Sequence, residues 1–143
     1  MLRALELASL AARDGEVPVG ALVVREGHIL GEGRNAQIAA TDPTAHAEIN
    51  ALRAAALSVA NYRMPGATLY VTLEPCSMCC GALVHARIAT VVFAAREPRA
   101  GAVVSTRGLL DESAFNHRVG WIEAQEHSAA SARLLKDFFR DRR

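Results

Sequence analysis

Three side chains able to bind a borderline-soft metal, and one carboxylate beside them, stand at short spacings: His46-Ala47-Glu48 and, further on, Pro75-Cys76-Ser77-Met78-Cys79. One imidazole and two thiolates suit tetrahedral Zn²⁺, with bonds of roughly 2.0 to 2.3 Å, and three protein ligands leave the fourth position to water, as hydrolytic sites require. Cys76 and Cys79 are three residues apart, so a helix presents both on one face. A helix N-terminus also favours the thiolate that a metal needs. His46 then arrives from the preceding helix as neutral imidazole, and zinc lowers the pKa of the water toward neutrality. Glu48, two residues beyond His46, reaches the same water without being a ligand, which makes it the candidate general base and acid. The expected load is one Zn²⁺ per chain.

Taken alone, C-x-x-C at a step from strand to helix fits a redox dithiol equally well. A closed structural zinc site needs a fourth protein ligand. Cys80 is the nearest choice, yet on a helix of about 3.6 residues per turn it points about 100° away from Cys79. It reads as a small buried side chain. His28, His85, His117 and His127 have no partner at ligand spacing and read as surface or hydrogen-bonded residues.

A chain of 143 residues suits one domain with a real core, spanning 1–143. With 51% hydrophobic and 22% charged residues it is globular rather than disordered. No apolar run approaches the ~18 residues of a membrane span, and Glu6 interrupts the Leu-rich start, which reads as an amphipathic helix and not as a leader. The three cysteines lie within five residues of one another, unlike the dispersed, even set of a secreted disulfide protein, and point to the cytoplasm. Sixteen basic against 15 acidic residues exclude a wholesale electrostatic grip on nucleic acid, so any RNA contact comes from local patches.

The elements that must position these groups alternate between strand and helix patterns, which predicts an α/β layer structure. Val17 to Val24 and His28 to Gly33 form a hairpin about a Glu26-Gly27 turn. Asp42-Pro43 opens a helix over Thr44 to Leu57, with His46 and Glu48 near its beginning. Ala67 to Leu73 is a strand that Pro75 ends, and the cysteines open a helix from Cys76 to Arg87. Thr90 to Ala94 is a strand, Arg96 to Ser105 a loop, Trp121 to Glu123 a short last strand, and Ser128 onward an amphipathic helix.

With these motifs in place the chain resembles the cytidine-deaminase-like zinc hydrolases, most closely their bacterial tRNA adenosine deaminase branch. The resemblance rests on Gly15 to Ala21 (GEVPVGA), Gly31 to Asn35 (GEGRN), Asp42 to Glu48 (DPTAHAE), Thr68 to Cys79 (TLYVTLEPCSMC), Val91 to Phe93, Asn116-His117-Arg118, and Asp137 to Arg140 (DFFR). It covers nearly the whole chain. H-x-E with P-C-x-x-C is specific for deamination of a nucleobase and silent on which base.

The resemblance implies a three-layer α/β/α fold with a five-stranded mixed sheet, zinc on His46, Cys76 and Cys79, and Glu48 as the proton shuttle. It further implies attack on C6 of a flipped adenine, giving inosine at the wobble position of a tRNA anticodon stem-loop. A homodimer completing each site is implied on the same ground. Substrate contact falls by resemblance to Asn35, Glu97, Asn116, Phe138 and Arg142. Asn35 can donate and accept together, as a purine edge requires, although an asparagine ending a hairpin strand also caps turns. Phe138 and Phe139 suit core packing as readily as base stacking. From Arg133 to Arg143 five basic residues stand against two acidic ones, a local patch on a balanced chain.

Three departures from the family pattern stand out. Glu97 replaces an Asp in the loop that touches the substrate, and one methylene shifts such a contact by about an ångström, a scale that matters to positioned groups. Cys80 replaces a small residue, and the first helix begins several residues late. Two other functions compete: deamination of a free base or nucleoside of guanine or cytosine type, and a noncatalytic RNA-binding subunit for which Glu48 is dispensable.

Overall fold

The hairpin read from the sequence is the starting edge of the sheet. A computed structural model describes residues 1–142. In it β1 (Gly20–Arg25) and β2 (His28–Arg34) run antiparallel. Glu26 and Gly27 between them have φ of 53° and 76°, the left-handed pair that matches the twist of a two-residue turn. β1 also pairs antiparallel with β3 (Thr68–Leu73), which runs parallel to β4 (Thr90–Ala95), itself parallel to β5 (Gly120–Glu123). The order is β2-β1-β3-β4-β5, the expected five-stranded mixed sheet.

Five helices cover it: α1 (Leu2–Arg13), α2 (Gln37–Ala40), α3 (Ala47–Val59), α4 (Ser77–His85) and α5 (Ser128–Arg140). The period-2 alternation of the strands decides which side each residue serves. Ala21, Val23, Leu69 and Val71 join Ala51 and Ala55 of α3 and Leu83 and Val84 of α4 in the main core. On the opposite face Leu22 packs with Ala4 and Leu7 of α1, and α5 lies beside α1 against β3 and β4. These are the three layers of an α/β/α sandwich.

α3 sits unusually close to the sheet because its inward residues are alanines and the strand beneath carries Gly33. A Cβ on Gly33 would run into the carbonyl of Ala47 and the amide of Ala51. α5 is fastened from the other side by the buried Ser131, whose hydroxyl donates to the carbonyl of Thr72 on β3 at 2.5 Å.

Several boundaries differ from the sequence reading, each for a local reason. β1 begins at Gly20 and not at Val17, because Pro18 interrupts the ladder and Val19 N–H turns back to Val17 at 2.8 Å. α3 starts three residues later than Thr44. The Asp42 carboxylate accepts from the Thr44 N–H at 2.8 Å and its hydroxyl at 2.7 Å, so it closes a turn instead of capping the helix. α2 was not anticipated; Glu16, 3% exposed, accepts the N–H groups of Ile38 and Ala39 and holds this single turn. Among the described residues no helix is long and apolar enough to cross a membrane.

Gly33→Ala is expected to lower stability by about 1–3 kcal/mol, the usual cost of forcing a packed interface apart. Urea unfolding followed by circular dichroism measures it; a midpoint equal to that of the native chain would contradict the close packing described here.

Candidate active site

His46 and Cys76 are the residues immediately before α3 and α4, both with extended backbone. Two helix starts therefore converge. The beginning of α3 is set by Asn35, whose Oδ1 accepts the Ala47 N–H at 2.9 Å. The first turn of α4 is closed by the Cys80 N–H bonding to the Cys76 carbonyl at 2.9 Å, which brings Cys79 round to the same side.

The Sγ atoms of Cys76 and Cys79 each lie 3.7 Å from His46 Nδ1. Zinc bonds of about 2.3 Å to sulfur and 2.0 Å to nitrogen, at a tetrahedral angle, separate the donors by about 3.5 Å. The donor set therefore fits zinc in type and spacing, and it is the one such cluster among the described residues. Cys80 points into the core, fully buried, and supplies no fourth ligand.

Electrostatics support the same reading. A hydrogen bond from Cys79 pulls the Cys76 thiol down to about 4, with His46 adding to the effect. Cys79 is pushed up for the reciprocal reason, and burial adds to it. His46 is raised by its hydrogen bond to Cys76. A metal binding here would displace the protons these donors hold, since ligation requires thiolates and a neutral imidazole.

Glu48 follows in the first turn of α3 and is 4% exposed. Burial pushes its carboxyl up to about 7, while the charge of His46 acts in the opposite sense. A divalent cation alongside would draw it down from there, toward the ionised form that can accept a proton from water.

These residues open into a cavity of about 190 Å³. Val17, Val19 and Leu73 form apolar walls; Asn35, Gln37, His46, Glu48 and Cys76 supply polar atoms, and Glu97 and Ala100 enter from the loop after β4. Asn35 thus both caps α3 and faces the cavity. Sequence reasoning missed Gln37 and Glu74 as lining residues. An acid directly before Pro75-Cys76 was the available signal for the second.

Two further hollows lie along α5 and share Glu97 with the cavity, lined by Arg99, Lys136 and Phe139 among others. Arg96 is tied to Glu123, and Arg140 to Asp137 and Asp141. Arg99, Arg133 and Lys136 pair with no carboxylate among the described residues. The groove is basic where the chain as a whole is balanced.

Two of the expected substrate contacts are placed elsewhere. Phe138 is 7% exposed and belongs to the core, whereas Phe139 is 50% exposed and lines the groove. The helical phase of α5 turns the second ring outward. Arg142 lines the groove too, but its guanidinium lies 3.6 Å from the centre of the Phe138 ring. Asn116 accepts a hydrogen bond from Arg87 at 3.0 Å, beyond the C-terminal end of α4, and does not line the cavity. The loop from the 3-10 turn at Leu109–Asp111 back to β5 carries it there. Arg143 of the basic tail lies outside the described residues.

Residues 1–95 match the family described as the cytidine and deoxycytidylate deaminase zinc-binding region. A tRNA-specific adenosine deaminase of Haemophilus influenzae is 46% identical over all of this chain and 83% of its own length. The chain belongs to the tRNA-specific adenosine deaminase family. A solved structure from work on A-to-I editing by tRNA:A34 deaminases superposes with a TM-score of 0.88 at 37% identity, covering 92% of this chain and 95% of that one. A guanine deaminase from Bacillus subtilis superposes at 0.67 with 31% identity, covering 95% and 90%. This membership and the donor geometry together make the protein a zinc-dependent hydrolytic deaminase.

The purified chain is expected to carry about one zinc, and Cys76→Ser or Cys79→Ser to lose it, because two ligands do not hold a catalytic ion firmly. Cys80→Ala keeps it. Elemental analysis after dialysis checks all three; zinc retained by Cys76→Ser would contradict the assignment. Phe138→Ala is expected to cost about 3–5 kcal/mol of stability as a buried aromatic, and Phe139→Ala less than about 0.5 kcal/mol as a surface change. Thermal unfolding of the pair tests which ring faces inward.

Proposed function

We propose that the chain, acting as a single deaminase domain over residues 1–143, converts adenosine to inosine at the wobble position of a tRNA anticodon stem-loop. The observation that carries this reading is the continuity of the catalytic cavity with the basic groove at Glu97. A free base needs only the cavity. A folded RNA needs somewhere to lay its backbone, and Arg99, Arg133 and Lys136 supply cations for phosphates beside an exposed Phe139 ring on which a base can stack. The relatives' substrate supports the same choice, and a tRNA substrate suits a cytoplasmic enzyme.

The reaction adds water to C6 of the adenine and expels ammonia, so that adenosine and water become inosine and ammonia. Zinc held by His46, Cys76 and Cys79 would supply a Lewis acid that lowers the pKa of water toward neutrality. The proton work falls to Glu48. Its carboxylate takes one proton from the attacking water and delivers it to ring nitrogen N1, then takes the remaining hydroxyl proton and delivers it to the amino group, which leaves as ammonia. Asn35, with Oδ1 engaged by Ala47, has its Nδ2 left to hold the purine edge. The apolar walls of Val17, Val19 and Leu73 exclude bulk water and stack against the ring.

The reading includes a homodimer. Its support is an open apolar groove between α3 and α4, lined by Ile49, Leu52, Ala56, Met64 and Ala82, with Tyr62 65% exposed beside it. A second copy of the chain would cover it.

Nucleoside mass spectrometry of an anticodon stem-loop with adenosine at the wobble position should show inosine. Glu48→Gln should slow its formation by at least about 100-fold, the scale of a lost general acid–base, with zinc still bound. Deamination of free guanine or cytidine without action on the stem-loop would replace this reading with the small-substrate one. Full activity of Glu48→Gln would overturn the assigned proton carrier.

A further inference from the structure

Glu74 directly follows β3, two residues before the first cysteine ligand, and is 3% exposed. A buried carboxylate needs several donors to be tolerated. Glu74 finds them all in one loop. Its Oε1 accepts the N–H groups of Val104 at 2.7 Å and Ser105 at 2.9 Å. Its Oε2 accepts the N–H of Glu97 at 3.0 Å and the Ser105 hydroxyl in a short bond. Burial alone would push this carboxyl up, but the bonds from Ser105, Glu97 and Val104 outweigh it and hold the group below the ordinary range.

The loop is shaped to wrap this one side chain. A Cβ on Gly101 would collide with the Glu74 carboxylate and approach the Glu97 carbonyl to 2.6 Å, so only glycine leaves room. Gly101 N–H donates to that same carbonyl at 2.9 Å, Thr106 bonds back to Gly101, and Ala102 N–H donates to the carbonyl of Pro75 at 2.8 Å. Glu97 is thereby fixed on every side. Its N–H is held by Glu74, its carbonyl by Gly101, its carboxylate accepts the Arg99 N–H at 2.9 Å, and the preceding Arg96 is tied to Glu123 on β5. Glu97 is also the residue common to the catalytic cavity and to both hollows along α5.

We infer that Glu74 is a positioning residue for substrate: through four hydrogen bonds it fastens the 97–105 loop to the strand that leads into the zinc ligands, setting Glu97 at the junction where the target nucleotide leaves the groove for the cavity. It holds neither the metal nor the reacting atoms. The chemistry it serves is recognition of a nucleotide within a polymer, since a free base would be gripped by the cavity walls and would have little need of the junction. This rests on the RNA reading given above.

The test uses zinc-loaded Glu74→Gln, which keeps size and shape but turns an N–H₂ toward backbone donors, and Ser105→Ala, which removes one donor and leaves the charge in place. Glu74→Gln is expected to raise KM for the stem-loop about tenfold, the scale of losing bonds to a charged acceptor, with kcat within about twofold because the proton carrier is untouched. Ser105→Ala should raise KM about threefold, and carries the test should Glu74→Gln fail to fold. Hydrogen exchange is read on the same samples, and the amides of Glu97, Val104 and Ser105 should lose protection while those of β3 and α4 keep it. KM unchanged in the folded variants, or loop amides as protected as in the native chain, overturns the inference. Absence of stem-loop activity in the native protein would instead sink the RNA reading, and the exchange measurement would still decide whether Glu74 holds the loop.

Discussion

His46 Nδ1 stands 3.7 Å from each of two cysteine sulfurs because the starts of α3 and α4 face each other at the end of the central strands. Each helix start carries unpaired N–H groups and the positive end of a dipole. Alone, that arrangement favours thiolates and disfavours a cation. Two thiolates reverse the balance: their charges match a dication, so the loaded centre is neutral and can lie next to the buried Glu48 without a large desolvation penalty. Glu48 is then a buried carboxylate beside a neutral centre, which suits a group whose task is to accept and release protons.

Everything around this centre keeps those two starts where they are. Asn35 sets where α3 begins. The alanine face of α3 and the bare backbone at Gly33 bring the helix down onto β2, where a larger interface would lift His46 away from the sulfurs. The α4 side is governed by Pro75, which ends β3 and turns the chain directly into the Cys76 position. The loop after β4 closes the arrangement, and Glu74 links it to the same strand.

Much of this was legible because it is periodic or local. The strands showed themselves by alternation, the hairpin by Glu26-Gly27, and the ligand pair by a spacing that only a helix start makes useful. What escaped was decided by partners distant in sequence. Asp42 has the form of a helix cap, but its carboxylate is engaged by Thr44, and the cap comes from Asn35, which lies twelve residues before the amide it holds. Glu16 stabilises α2 from across a hairpin. Phe138 and Phe139 are adjacent and chemically identical, so only the docking of α5 could decide which ring is buried. Asn116 matched a family motif, yet the loop that bears it runs to the far end of α4, next to Arg87.

The hydroxyl of Ser131 grips the carbonyl of Thr72, and four residues further along the same strand path the chain reaches the first sulfur ligand. The helix that walls the basic groove and the centre that holds the metal ligands are thus referenced to a single stretch of backbone. Variation on the solvent side of α5 can therefore change the charge and shape of the groove while leaving the reactive geometry intact. Under the RNA reading proposed above, such an arrangement lets a lineage acquire new nucleic-acid targets by surface change alone.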